Sequence, residues 1–419
     1  MRDQAGPETL LSCEEALTLV LHLCEKLPKT NQGEEVDLDH ALGRVLLADA
    51  CADRDQPPFH RSTRDGFAAY AAQASAGSRL RVLGQLRAGE AWNGPPPNPD
   101  ECIEIMTGAP LPAGADAVAM VEHVERDQNG TVRLMAGRSL IAGENVVPRG
   151  SEAQAGDIVL HAGTRLEAAH IALLASVGVA QVKVHTRPRV AIIATGDELV
   201  GVDAMPGPHQ IRNSNSHGIA AIVRACGGDP VIRPPVNDDQ NALNEAVAQS
   251  RQTADLLILS GGVSAGRYDF VESALTHHGA SFFFTGVRMQ PGKPVVFGKL
   301  PATDTKDELY VFGLPGNPVS TQVTSLLFVA PLMRALAGDN NPAPVFASAI
   351  LAHEIKTRSG LTRLLPAIYT SSLTRTEVSL TGWQGSGDLS ANARANCYAV
   401  IPADVESMSA GTLVQLLLR

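Results

Sequence analysis

Three short apolar runs, VAIIA at 190–194, LLIL at 256–259 and LYVF at 309–312, each pass directly into a loop containing glycine. Stretches with helical spacing lie between them, at about 216–225 and 241–251, and after them, at about 319–337. Strands so short and so uniformly apolar must be covered on both faces, as alternating helices do in a mainly parallel, doubly wound α/β sheet. Such a domain is expected over 181–340. Gly338 and Pro342 stop its last helix, and Pro331 inside that helix predicts a kink.

The remainder of the 419-residue chain reads differently, and the length is too great for one core. Ser12 and Glu15 carry the signature of a capping box ahead of the amphipathic series Cys13, Ala16, Leu17, Val20, Cys24 and Leu27, which predicts a helix packed on another element. Between 56 and 146, alternating segments at 80–86, 102–106, 117–124 and 131–135 are separated by Gly- and Pro-rich breaks, and a small inserted β-rich domain is expected. Asn129-Gly130 marks a hairpin turn there, since both residues tolerate positive φ. The flanking pieces 10–55 and 147–180 are read together as an N-terminal linker domain, and the strand-like segments of 343–419 as a β-rich C-terminal domain.

Charge and composition narrow the function. Asp and Glu number 44 against 34 Lys and Arg, a net charge of -10, so a polyanion is repelled on average. With aromatics at only 4%, stacking on single-stranded bases is disfavoured as well, and no nucleic-acid partner is expected. Cys13, Cys24, Cys51, Cys102, Cys226 and Cys397 form no CxxC pair, which argues against a zinc site or a disulfide framework and for reduced thiols in a cytoplasmic protein. No basic-plus-apolar leader is read, and no membrane association is expected.

In a doubly wound sheet, ligands bind beyond the carboxyl ends of the strands. There lie Thr195-Gly196-Asp197-Glu198, Ser260-Gly261-Gly262-Val263-Ser264, and Gly313-Leu314-Pro315-Gly316-Asn317-Pro318, with a fourth loop at Gln290-Pro291-Gly292-Lys293-Pro294. Glycines let backbone N–H groups approach an anion, serine hydroxyls add donors, and Lys293 adds a point charge for phosphate. One such loop is ordinarily a structural turn. Three at equivalent strand ends of one sheet point to a shared phosphate-bearing ligand. No GKS or GKT follows and no GxGxxG opens a unit, which disfavours a kinase or a dehydrogenase. Carboxylates gather around the loops: Asp197, Glu198, Asp238, Asp239 and Asp269. Asp239 and Asp269 also stand where they could cap the following helices, but carboxylates beside phosphate loops suit Mg²⁺. Arg61, Ser62, Arg64 and Thr107 form a second constellation, either an oxyanion grip or a solvated turn and strand end. His277-His278 is read as surface.

Taken in order, PPFHRSTRDGFA, IMTGAPLPAGADAV, GENVVPRGSE, ATGDEL, IRNSNS, LSGGVSAGRYDF, MQPGKP, GLPGNPVS and QGSGDLSANARAN resemble the molybdopterin molybdenumtransferases, the MoeA type that also forms the E domain of gephyrin. The resemblance implies an elongated homodimer of four-domain subunits with a molybdopterin-binding α/β domain. It implies insertion of molybdenum from molybdate into adenylylated molybdopterin with Mg²⁺-dependent release of AMP, and an upstream molybdopterin adenylyltransferase as a partner. By resemblance, Asp65, Glu198, Asp238 and Asp269 are catalytic, the last three also holding Mg²⁺. Ser62, Thr107, Thr195, Gly261, Gly262, Ser264, Lys293, Pro315, Gly316, Asn317 and Arg394 are implied substrate contacts. The chain departs from the common pattern at His60-Arg61, where Asp-Asn is frequent, at Ser151-Glu152, where Glu-Asp is frequent, and at Gln290, Leu361 and Pro366, where basic residues are frequent. A related pyrophosphate hydrolase sharing the α/β fold would not need the motifs of 57–110, and a non-catalytic scaffold is expected to carry an appended partner domain.

Overall fold

The computed structural model describes residues 10–28, 32–262, 270–304 and 307–419. Helix α1 (Cys13–Lys26) opens with the expected capping box, Glu15 N–H donating to Ser12 Oγ at 3.1 Å and Ser12 N–H to the Glu15 carboxylate at 2.7 Å. Its apolar face, Cys13, Ala16, Val20 and Cys24, is buried with Val190, Ile192, Leu332 and Met333 of the α/β core. Residues 10–55 therefore do not pack as one unit.

The segment expected to be β-rich forms a six-stranded sheet in the order 117–120, 66–69, 101–105, 79–86, 131–134, 124–126. The turn at 127–130 differs from the expected two-residue type. Only Gly130 has positive φ, and Asp127 Oδ1 holds the loop by accepting from the N–H groups of Asn129 and Thr131. Beside this sheet, 50–51 with 158–160, 33–37 with 181–185, and helix α2 (Ala168–Ser176) make a small linker body cored by Leu46, Leu166, Leu174 and Val184.

The central sheet runs 229–232, 189–194, 256–260, 309–314, 296–300, 281–285. The first four strands are mutually parallel, and 296–300 runs antiparallel between 309–314 and 281–285. Alternation along the strands sorts the side chains. Ile192, Ile258 and Phe312 face α3 (Asn215–Ala225) through Ile219 and Val223, whereas Ile193, Leu257, Leu259 and Val311 face α4 (Gln240–Arg251) and α5 (Phe270–His277). After the strand 309–314 come α6 (Pro318–Thr324), a π-helical turn at Ser325–Val329 and α7 (Ala330–Leu336). The π turn lies immediately before Pro331, whose ring removes one i→i−4 bond, so the expected irregularity takes this form. Among the described residues, the stretch Pro318–Leu336 is long and apolar enough to cross a bilayer, but most of it is buried in this core. The antiparallel hairpin 281–300 was not foreseen from the sequence.

At the C-terminal end a seven-stranded sheet takes in 11–12 and 287–290. Within it, the strands 362–371, 376–380, 346–351, 413–418 and 397–401 close on themselves, because 362–371 pairs with 397–401. Helix α8 (Leu389–Arg394) leads into the strand 397–401.

Candidate active site

The carboxyl ends of the parallel strands 189–194, 256–260 and 309–314 are stitched together by the residues that follow them. Thr195 N–H donates to Ser260 O at 2.9 Å, Gly261 N–H to Leu314 O at 3.1 Å, and Gly196 N–H to Val236 O at 3.1 Å. Gly261 has φ +96°, and a Cβ there would overlap the Thr195 carbonyl, so only glycine fits this crossing. A methyl on Gly316 would touch Gly261 Cα at 3.6 Å. Asn215 clamps the arrangement from α3, its Nδ2 donating to Ser260 Oγ at 2.9 Å and to Gly316 O at 2.7 Å. Thr195, Gly261 and Gly316 thus meet as the sequence led one to expect. Asn215 lay inside the quoted IRNSNS motif, but nothing local marked it as the residue spanning two loops.

Thr195 is buried, and its Oγ1 makes no hydrogen bond among the described residues. Next to it, Gly196 brings the chain round so that the Glu198 carboxylate folds back over its Cα. Asp197 Oδ1 accepts from Asp238 N–H at 3.1 Å, which joins the acidic turn to the segment before α4. Partial burial, then the charges of Asp197 and Glu198, push the Asp238 carboxyl above its ordinary range. Asp239 is turned away: its Oδ1 caps α4 by accepting from Ala242 N–H at 2.8 Å. Ser264 and Asp269 lie outside the described residues. Among the described residues, no three His, Cys, Asp or Glu side chains are gathered closely enough to hold a metal.

The loop 290–294 packs on the helix that follows the third tip. Gly292 packs against Thr324 of the long helix, leaving Lys293 exposed on its flank. Pro315 itself is buried, its carbonyl accepting from Thr321 Oγ1 at 2.5 Å, while Gly316 and Asn317 are exposed. The loop 382–388 and helix α8 lie over the start of α6, where Val319 N–H donates to Ser386 O at 2.9 Å. On this region lies an open recess of about 740 Å³ lined by Gln384, Ser386, Asp388, Ser390 and Arg394 together with glycines.

The N-terminal constellation is a separate centre. Asp65 Oδ1 accepts from Thr107 N–H at 2.6 Å and Thr107 Oγ1 at 2.7 Å, and these bonds hold the Asp65 carboxyl below its ordinary range. Ser62, expected as an anion contact, is buried, and its hydroxyl donates to Arg64 O at 2.6 Å, so it orders the turn instead. The unusual His60-Arg61 pair is accommodated locally: His60 Nδ1 accepts from Arg149 N–H at 3.2 Å, and Arg61 pairs with Glu152 at 3.3 Å. No strand pairing, hydrogen bond or ion pair among the described residues joins 61–147 to the α/β sheet. Within one chain, Asp65 and Thr107 are therefore not brought together with Glu198 and Asp238.

Comparison with known proteins agrees with this layout. The chain matches, in series, the MoeA N-terminal region (domain I and II) over residues 11–178, a probable molybdopterin binding domain over 191–335, and the MoeA C-terminal region (domain IV) over 348–418. It is 34% identical to the molybdopterin molybdenumtransferase of a Nostoc species, across 97% of this chain and 93% of that protein. It is 32% identical to that of Bacillus subtilis, across 98% and 94%. The crystal structure of the molybdopterin biosynthesis moeA protein from Pyrococcus horikoshii OT3 is similar at a TM-score of 0.78 and 28% identity, covering 98% of this chain and 100% of that one. By fold, strand-tip geometry and relatedness along nearly its whole length, the chain belongs to the molybdopterin molybdenumtransferase family.

Proposed function

We propose that this chain inserts molybdenum from molybdate into adenylylated molybdopterin and releases AMP, the strand tips holding the substrate's pyrophosphate. The observation that carries this is the meeting of Thr195, Gly261 and Gly316 beside the carboxylates of Asp197, Glu198 and Asp238. The exposed Gly316 leaves backbone open to the phosphates, the buried Thr195 hydroxyl is a donor for a phosphate oxygen, and the exposed Lys293 supplies positive charge. Arg394, with Ser386 and Ser390 in the recess beside them, offers a cation and hydroxyls to an oxyanion such as molybdate.

Glu198 and Asp238 offer hard carboxylate oxygens of the kind Mg²⁺ takes, and a cation would offset both the partial burial of Asp238 and its repulsion by Asp197 and Glu198. Glu198 and Asp238, with Asp269 from outside the described residues, would hold it, and when bound it supplies positive charge at the phosphate oxygens. Asn215 keeps the tips in register throughout. The working form is a homodimer in the cytoplasm. All six cysteines are free, which supports a reducing compartment. The substrate arrives already adenylylated, so an adenylyltransferase must act upstream.

Purified protein given adenylylated molybdopterin, molybdate and Mg²⁺ is expected to yield AMP and active cofactor in equal amounts, and Glu198→Ala to abolish both. AMP without cofactor would point instead to a hydrolase.

A further inference from the structure

We propose that Arg419 and Gln322 form a clasp that sets the recess carrying Arg394 against the strand tips and so determines how tightly substrate is held. The identity of that substrate rests on the reading above; the clasp itself does not. The recess wall has little stiffness of its own, since Gly382, Gly385 and Gly387 punctuate it. Its order must come from anchors. Asp388 is one: its carboxylate accepts from Gln384 N–H at 3.1 Å and Ala391 N–H at 2.9 Å, which folds the loop onto α8.

The other anchor ties α8 to α6. Gln322 Oε1 accepts from Asn392 Nδ2 at 2.7 Å and from Arg419 at 3.2 Å. The same guanidinium donates to Asn392 O at 2.7 Å and Ala395 O at 2.6 Å, closing the carboxyl end of α8, and lies 5.7 Å above the ring of buried Tyr398. Tyr398 in turn donates its hydroxyl to Asn392 Oδ1 at 2.8 Å. On α6, Gln322 is one turn beyond Val319, whose N–H holds Ser386 O, so the two attachments share one helix face. One glutamine carbonyl therefore receives donors from α8 and from the residue that follows the strand 413–418, which ties the recess wall to α6. Arg419 and Gln322 are positioning residues in this scheme, acting on the site through α8.

The test uses the full chain with Arg419→Ala, Arg419→Lys, Gln322→Leu and Gln322→Glu, reading hydrogen exchange of 382–390, thermal midpoint, and kcat and KM for adenylylated molybdopterin. Arg419→Ala and Gln322→Leu are expected to speed exchange in that loop and to raise KM by about tenfold each, with kcat and the midpoint little changed. Gln322→Glu keeps the acceptor and is expected to behave as the parent, while Arg419→Lys recovers part of the loss, having charge but no fork. Unchanged exchange in both disruptive variants would overturn the clasp, as would a fall in kcat and midpoint with KM unmoved. Exchange decides the matter even if the parent protein turns over no pterin, so failure of the clasp and failure of the substrate assignment are told apart.

Discussion

Asp238 and Asp65 are perturbed in opposite directions, and the signs predict opposite behaviour. Burial and the charges of Asp197 and Glu198 raise the folded carboxyl of Asp238 above 3.8, so the native state binds that proton more tightly than the unfolded chain. Its contribution favours folding at low pH and fades as pH climbs from the ordinary carboxylate value through the raised one. Asp238→Asn is therefore expected to be at least as stable as the parent at pH 7 while losing activity about tenfold or more, and Mg²⁺ should raise the melting midpoint of the parent more than that of the variant. Melting curves at pH 4 to 7 with and without Mg²⁺ check this; a variant stabilised equally by the ion would contradict it. Thr107 lowers the Asp65 carboxyl, so that contribution is present above 3.8 and lost as pH falls through the folded value. Asp65→Asn is expected to lose turnover while still binding nucleotide-linked pterin, because the strand tips lie on another body; loss of binding in a titration would refute that separation. At this scale the sequence was legible where a residue's role depends on its neighbours in the chain, as for the capping Asp239. It was not where the role comes from a fold-back: Ser62 looks like a free donor until the turn at Arg64 consumes its hydroxyl.

Elements were easier to read than contacts, for a physical reason. The runs at 190–194, 256–259 and 309–312 are apolar on both faces because helices cover both faces, and that pattern survives in sequence without any knowledge of partners. The hairpin 281–300 sits at the sheet edge, and its aromatic residues Phe283, Phe284 and Phe297 give no clear alternation, so only pairing with 309–314 reveals it. Gly261 is the element-level weak point. With φ +96° and the Thr195 carbonyl where a Cβ would stand, Gly261→Ala is expected to cost about 2 kcal/mol or more of stability and to abolish pyrophosphate binding. Urea unfolding measures the first and calorimetry the second; an unaltered midpoint would mean the crossing of strand tips is looser than described.

On the scale of the whole molecule, the chain alternates between bodies rather than filling them in turn. Helix α1 and the strand 11–12 precede the linker in sequence yet pack with the α/β core and with 287–290, and such long-range returns carry no local signal. The family motifs at 57–68 and 105–118 and those at 194–199 and 313–320 end up on bodies that share no hydrogen bond or ion pair among the described residues. Substrate binding depends on three strand tips acting as one pyrophosphate cradle held by Asn215. Calorimetric titration of adenylylated molybdopterin with Mg²⁺ into the parent protein and into Asn215→Ala tests it most directly. One bound ligand per chain is expected, with binding about tenfold weaker or worse once the link between Ser260 and Gly316 is cut. Equal affinity in the two proteins would contradict it.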